Sequence, residues 1–120
     1  MLEIVNKHYE VGVFTASQGH YADVILNYID PERKYFQHRF YRESCIKASD
    51  NVYVKDLRIF KNVPMSDVLL VDNAVYCFGL QLSNGIPVMP FKEDKSDREF
   101  ELLTKLLLRI SGEDDVRTTL

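Results

Sequence analysis

A chain of 120 residues and 14.0 kDa is sized for a single domain over residues 1–120. Its residues are 46% hydrophobic and 12% aromatic, which supplies a core and excludes a disordered chain. A balance of 15 basic against 18 acidic residues leaves a net charge of −3, an overall field unsuited to wrapping nucleic acid.

The longest apolar stretch, around Leu102–Leu103 and Leu106–Leu108, is broken by Thr104 and Lys105, so no membrane span is expected. The first residues carry Glu3 and no basic-then-apolar signal pattern, which sets the expectation of a nuclear or cytoplasmic protein. Cys45 and Cys77 are accordingly expected as reduced, packed thiols.

Residues 1–9 read as the end of a helix, with Leu2, Val5 and Tyr9 three to four apart. Val11–Thr15 is a short β-branched and aromatic run of strand length, and Ser17 reads as the N-cap of the helix that follows. Tyr21, Ala22, Ile25, Leu26 and Ile29 recur at helical spacing until Asp30-Pro31 ends the pattern, because the residue before proline is pushed out of the α region. Phe36–Tyr41 and Val52–Val54 read as strands, the second after an Asp50-Asn51 turn. Val68–Val71 is continuously apolar, the pattern of a strand buried on both faces, and stops at Asp72-Asn73. Asn84-Gly85 is a turn before the short strand Ile86–Val88. Ser96–Ile110 is the clearest helix, with Ser96 as N-cap and Glu99 completing a capping box. Its apolar face is Phe100, Leu103, Leu107 and Ile110, and Gly112 is its stop.

Alternation of strands and helices predicts an α/β sandwich with a mainly parallel sheet, in which ligands bind at the carboxyl ends of strands. That rule selects Thr15-Ala16-Ser17 and Asp72-Asn73. Hydroxyls and free N–H groups at a helix N-terminus suit a phosphate, and an ordinary N-cap uses the same residues. A carboxylate closing an apolar strand needs a cation, a metal or several donors, and Asp72 with Asn73 offers hard oxygen ligands suited to Mg²⁺. An Asx-turn at the strand end accounts for the same pair. Lys55, ending a strand, is placed to neutralise a phosphate or to pair with Asp72. Arg42 is placed to fork onto a phosphate or to pair with Glu43 or Asp56. His8, His20 and His38 have no metal spacing.

Taken in order, five motifs form a pattern. They are Val13-Phe14-Thr15-Ala16-Ser17, Tyr21-Ala22-Asp23, Phe40-Tyr41-Arg42-Glu43-Ser44-Cys45, Tyr53-Val54-Lys55-Asp56-Leu57 and Leu70-Val71-Asp72-Asn73. The chain resembles the small C-terminal-domain phosphatases of the haloacid dehalogenase superfamily, including the Dullard-like and nuclear LIM interactor-interacting-factor-like proteins. The likeness runs from about Tyr9 to the end of the chain. It implies a three-layer Rossmann-like sandwich and an Mg²⁺-dependent phosphatase acting on phosphoserine or phosphothreonine of a phosphoprotein or phosphopeptide, typified by the heptad tail of RNA polymerase II. Nucleic acid and membrane are not implied as partners. The resemblance assigns Thr15 to a phosphate oxygen and Lys55 to the charge of a phosphoaspartyl intermediate. It assigns Asp72 and Asn73 to Mg²⁺, Arg42 to the substrate phosphate and Tyr21 to a substrate side chain.

The chain departs from that pattern in one respect that governs activity. Relatives carry D-x-D-x-T on the central first strand, supplying nucleophile, general acid and metal ligation. Here the aspartates fall at Asp23, Asp30, Asp50, Asp56, Asp67, Asp72, Asp94, Asp97, Asp114 and Asp115, and no two are two apart. The resemblance therefore sets the expectation of a domain that is N-terminally incomplete, its central strand carried by a missing N-terminal segment of the same gene. A short, catalytically inactive phosphatase-like binding module is the alternative. Without the strand, the segments ending at Thr15 and Asp72 are expected either to stay unpaired or to pair directly. Ala74-Val75 stands where many relatives have Ser-Pro.

Overall fold

The computed structural model describes residues 2–88 and 99–118. Helix α1 (Leu2–Asn6) leads to β1 (Gly12–Phe14), α2 (Gly19–Ile29) and β2 (His38–Phe40). A hairpin follows, β3 (Ile46–Ser49) and β4 (Val52–Val54), then β5 (Leu70–Asp72), β6 (Gly85–Pro87) and α3 (Glu99–Ile110). Short 3-10 turns connect the later elements.

Parallel pairing is present, divided between two ladders. β1 pairs with β2, Val13 opposite Arg39, and β5 pairs with β6, Val71 opposite Ile86. The antiparallel hairpin β3–β4 makes a third ladder with an irregularity between Lys47 and Ser49. Asn51 at its tip has φ 60°, a left-handed conformation that asparagine tolerates. Among the described residues no ladder joins β1 to β5, so each keeps one edge unladdered. The two parallel ladders nonetheless share a cluster of buried Leu57, Leu70 and Phe78, against which Phe14 of β1 packs.

The larger cluster joins the beginning of the chain to its last helix. Val5 of α1 packs with Ile86, Leu103, Leu107, Ile110 and Val116, and the Tyr9 hydroxyl donates to the Leu107 carbonyl at 2.6 Å. On α3 the i, i+4, i+7 set Leu103, Leu107 and Ile110 points inward as the spacing predicts. Phe100 does not complete that face: it is 55% exposed, because the cluster begins one turn further along. Ser96 and the Glu99 side chain lie outside the described residues.

Other departures have local causes. Ala22 and Leu26 are the buried pair of α2. Tyr21 and Ile25 lie about 100° around the axis from Ala22 and Leu26 respectively and are exposed, as is Ile29, the last residue of the helix. Ser17 is not the cap of α2. That position falls to Gln18, whose side chain makes no capping bond, while the Ser17 N–H donates to Thr15 Oγ1 at 3.0 Å. β5 starts at Leu70, and its two faces are unequally covered: Leu70 is buried while Val71 is 37% exposed. Among the described residues β6 is the only strand laddered to it. Strand β3, which the sequence reading does not anticipate, is exposed along its whole length.

Three polar devices set the turns. Asp30 closes α2 and accepts N–H bonds from Lys34 (2.8 Å), Tyr35 (3.0 Å) and Phe36 (3.0 Å), which fixes the entry to β2. Asn84 donates to the carbonyls of Met65 (2.6 Å) and Val68 (2.9 Å), clamping the turn that enters β5. At Gly85 a Cβ would stand 2.2 Å from the Phe78 ring, so glycine is required for the close approach of β6.

Candidate functional site

Lys55 follows β4 directly and Asp72 is the last residue of β5. The Lys55 backbone N–H donates to the Cys77 carbonyl at 2.7 Å, which fixes the chain on which its side chain is mounted. Its ammonium donates to Asp72 Oδ2, and Lys55 as a whole is only 8% exposed. Asp72 Oδ1 accepts the Ala74 N–H at 3.0 Å, the Asx-turn that the strand end allowed. The ion pair and the Asx-turn, each an alternative on sequence grounds, are thus both present. Removing one partner of such a buried pair leaves an uncompensated charge and costs about 3–5 kcal/mol.

Two thiols flank the pair. Cys45 Sγ reaches the carbonyls of Thr15 and Tyr41, each at 3.8 Å, and Cys77 Sγ reaches the Tyr53 carbonyl at 3.7 Å. Both lie within electrostatic reach of Lys55 and Asp72. Burial pushes both thiols above their usual range, and the Lys55 charge only partly opposes it. They are packed thiols rather than nucleophiles.

On the other side of Cys45 lies the loop after β1. The Thr15 N–H donates to the Phe40 carbonyl at 2.9 Å, and its hydroxyl oxygen is occupied by the Ser17 N–H. Arg42 clips this loop from outside: its N–H donates to Ser17 O at 3.1 Å and its Nε to Ala16 O at 2.7 Å. Its guanidinium carbon stands 5.2 Å from the centre of the Tyr53 ring, a cation–π distance. It pairs with neither Glu43 nor Asp56. An open depression of about 430 Å³ is lined by Ser17, Gln18, His20, Tyr21 and Arg42. Tyr21, 60% exposed, also lines a second, largely apolar depression with Val13, Thr15 and Ile25. Thr15, Tyr21 and Arg42 therefore form one group and Lys55 with Asp72 another, with Cys45 between them and Asn73 exposed beside Asp72.

Asp56, a motif residue with no site role assigned from the sequence, supports Lys55 from the next position. It is buried and accepts from Arg58 Nη2 (2.7 Å), the Arg58 N–H (2.9 Å) and Gln81 Nε2 (2.8 Å). Gln81 Oε1 in turn accepts the Leu57 N–H at 3.0 Å. The Arg58 side-chain hydrogen bonds hold the Asp56 carboxyl well below the usual carboxylate range, against the effect of burial. The sequence signals for Asp56 are its adjacency to Lys55 and its place in the fourth motif; Gln81 has none. Asp23 is likewise occupied, by Arg39 Nη1 at 3.0 Å and by the Tyr41 hydroxyl.

A divalent cation is not accommodated by these residues alone. Both Asp72 oxygens are engaged, and among the described residues no group of three or more His, Cys, Asp or Glu side chains could hold a metal.

The fold is α/β, with a lysine–aspartate pair set at the ends of two strands. The family model of NLI interacting factor-like phosphatases matches residues 1–117, and the chain belongs to that family. It is 40% identical over 116 residues to CTD small phosphatase-like protein 2 of Dictyostelium discoideum, covering 97% of this chain and 20% of that protein. It is 32% identical over 119 residues to CTD nuclear envelope phosphatase 1 of Xenopus tropicalis, covering 99% of this chain and 48% of that protein. The solved structure of Fcp1, an essential RNA polymerase II CTD phosphatase, superposes with a TM-score of 0.74 at 19% identity, over 92% of this chain and 45% of that one. That likeness establishes the haloacid dehalogenase-type fold. The chain spans less than half the length of each of these proteins.

Proposed function

We propose that this chain is the phosphate-handling part of a C-terminal-domain-type serine/threonine phosphatase, working on a phosphoprotein or phosphopeptide in the nucleus or cytoplasm. The carrying observation is the buried Lys55–Asp72 pair at the ends of β4 and β5. A preorganised ammonium at a strand end is suited to the charge that develops on a transferring phosphoryl group. Thr15 would hold a phosphate oxygen, Arg42 would meet the phosphate from the loop side, and Tyr21 would receive a substrate side chain.

The chemistry needs a nucleophilic carboxylate, and the 120 residues contain no D-x-D pair. Asp23, Asp56 and Asp72 are each already hydrogen-bonded elsewhere. On this reading the aspartates come from a further strand of a longer protein, and the unladdered edges of β1 and β5 are where it would pair. Mg²⁺, on which phosphatases of this type generally depend, would then take Asp72, with Asn73 beside it, together with carboxylates of that strand. The same lack of a D-x-D pair favours the second reading, an inactive phosphate-binding module.

The test is aryl phosphate hydrolysis with Mg²⁺ and with chelator. The 120-residue chain is expected to bind vanadate weakly and to turn nothing over. Fusion to a strand carrying D-x-D-x-T is expected to produce turnover that Lys55→Met and Asp72→Ala each lower by orders of magnitude. Chelator-sensitive turnover by the unfused chain, lost in Asp72→Ala, refutes the need for the extra strand. Persistent inactivity of a folded fusion supports the binding module.

A further inference from the structure

Positive charge around the strand ends is unequally compensated. The Lys55 ammonium is taken up by Asp72, whereas Arg42 has no acidic partner among the described residues. The Arg42 Nε donates to the Ala16 carbonyl at 2.7 Å, and neither Nη has a hydrogen-bond or ion-pair partner there. Arg42 is exposed and lines the open depression of about 430 Å³ together with Ser17, Gln18, His20 and Tyr21. None of these lining residues is acidic. Gln18 and His20 are exposed there, and the Gln18 side chain makes no capping bond to α2. The lining thus gathers a guanidinium, a carboxamide, an imidazole and a hydroxyl around one aromatic ring, with no negative charge to neutralise the guanidinium.

We propose that this depression reads an acidic side chain next to the phosphorylated residue of the substrate, with Arg42, Gln18 and His20 as the residues that select it. The inference rests on the phosphatase reading above and narrows its substrate class to phosphoserine or phosphothreonine with aspartate or glutamate as a neighbour. Thr15 and Ser17 are joined by a 3.0 Å hydrogen bond, so a phosphate held at Thr15 stands beside the depression and its neighbouring residue reaches into it. A guanidinium fork suits a carboxylate, and the carboxamide and imidazole N–H groups add donors. An apolar neighbour would cover the same groups without pairing them, which is costly. The overall field of the chain does not supply this preference: its net charge of −3 repels an acidic peptide, so the attraction has to come from the cluster itself. Gln18 and His20 on this view determine specificity and take no part in the phosphoryl chemistry.

NMR titration of the 120-residue chain tests it, with short phosphoserine peptides that differ only in the residues flanking the phosphoserine, glutamate in one and leucine in the other, and with the unphosphorylated forms of both. The glutamate phosphopeptide is expected to bind on the order of fivefold tighter than the leucine one and to shift the amides of Gln18, His20 and Tyr21 selectively. High salt is expected to remove most of that advantage. Gln18→Leu with His20→Leu is expected to erase or reverse the preference while the dependence on phosphate persists. Both side chains are exposed, so the double variant keeps the packed core, and its amide spectrum checks the fold. Arg42→Gln is expected to lose the same preference. Equal binding of the two phosphopeptides by the wild type overturns the inference, as do a preference that survives in the folded double variant and an absence of binding by every peptide. Failure of the phosphatase reading is distinguishable, because phosphorylated and unphosphorylated peptides then bind alike whatever their flanking residues.

Discussion

Gln81 ties the Asp56 side chain to the backbone of Leu57: its Nε2 donates to Asp56 Oδ1 at 2.8 Å while its Oε1 accepts the Leu57 N–H at 3.0 Å. One carboxamide thereby fixes the segment that begins with Lys55. Gln81→Ala strands a buried donor and weakens the support of a buried carboxylate, an expected loss of about 1–3 kcal/mol by urea denaturation. Gln81→Glu should lose more, since it sets a second carboxylate against Asp56.

Acid sensitivity should follow Asp56. Its carboxyl lies well below the ordinary 3.8 in the folded chain, chiefly through the Arg58 side chain. The depressed pKa contributes stability that is present above about pH 4 and is lost as the pH falls toward the folded value. Asp115, held at about 2 by Arg117, adds in the same direction. Denaturant midpoints between pH 2 and pH 5 should fall with decreasing pH in the wild type and fall less steeply in Asp56→Asn. An unchanged slope in that variant would remove Asp56 as a contributor.

Gly85→Ala should be costly despite its small volume. The added methyl meets the Phe78 ring at 2.2 Å, and overpacking of this kind costs about 1–3 kcal/mol or more. Phe78→Leu in the same chain should recover part of the loss, so the two substitutions should be non-additive by a double-mutant cycle.

Tyr21 makes a prediction about specificity. In a longer protein that carries the nucleophile strand, Tyr21→Ala should raise KM for phosphopeptides several-fold while leaving small aryl phosphates nearly unaffected. An equal effect on both substrates would place Tyr21 outside the substrate side-chain pocket.

Strand ends were the most legible part of the sequence. Thr15, Lys55 and Asp72 all stand where a strand gives way to a turn, because apolar runs stop sharply and polar residues take over. What covers each face was less legible. Val68–Val71 has the composition of a strand enclosed on two sides, yet Val71 is open because enclosure depends on a neighbour the local run does not encode. The same applies to Tyr21, Ile25 and Ile29 on α2, whose apolarity says nothing of which side of the helix is covered. β3 was invisible because its four residues gain their strand geometry only from pairing with β4. Gln81 and Asn84 were invisible as anchors because a carboxamide has no periodicity; it is read only from the carbonyls and N–H groups brought to it.

The packing of α1 on α3 carries a consequence for synthesis on the ribosome. Val5 precedes its buried partners Leu103, Leu107 and Ile110 by nearly the whole of the described chain. A nascent chain can close the hairpin β3–β4 early, since its strands are adjacent. It cannot bury Val5 or satisfy the Tyr9–Leu107 bond until α3 has emerged. Until then α1 is a helix whose apolar side waits for its lid. Holding that helix soluble falls to Glu3, Lys7 and Glu10 around it, or to a chaperone.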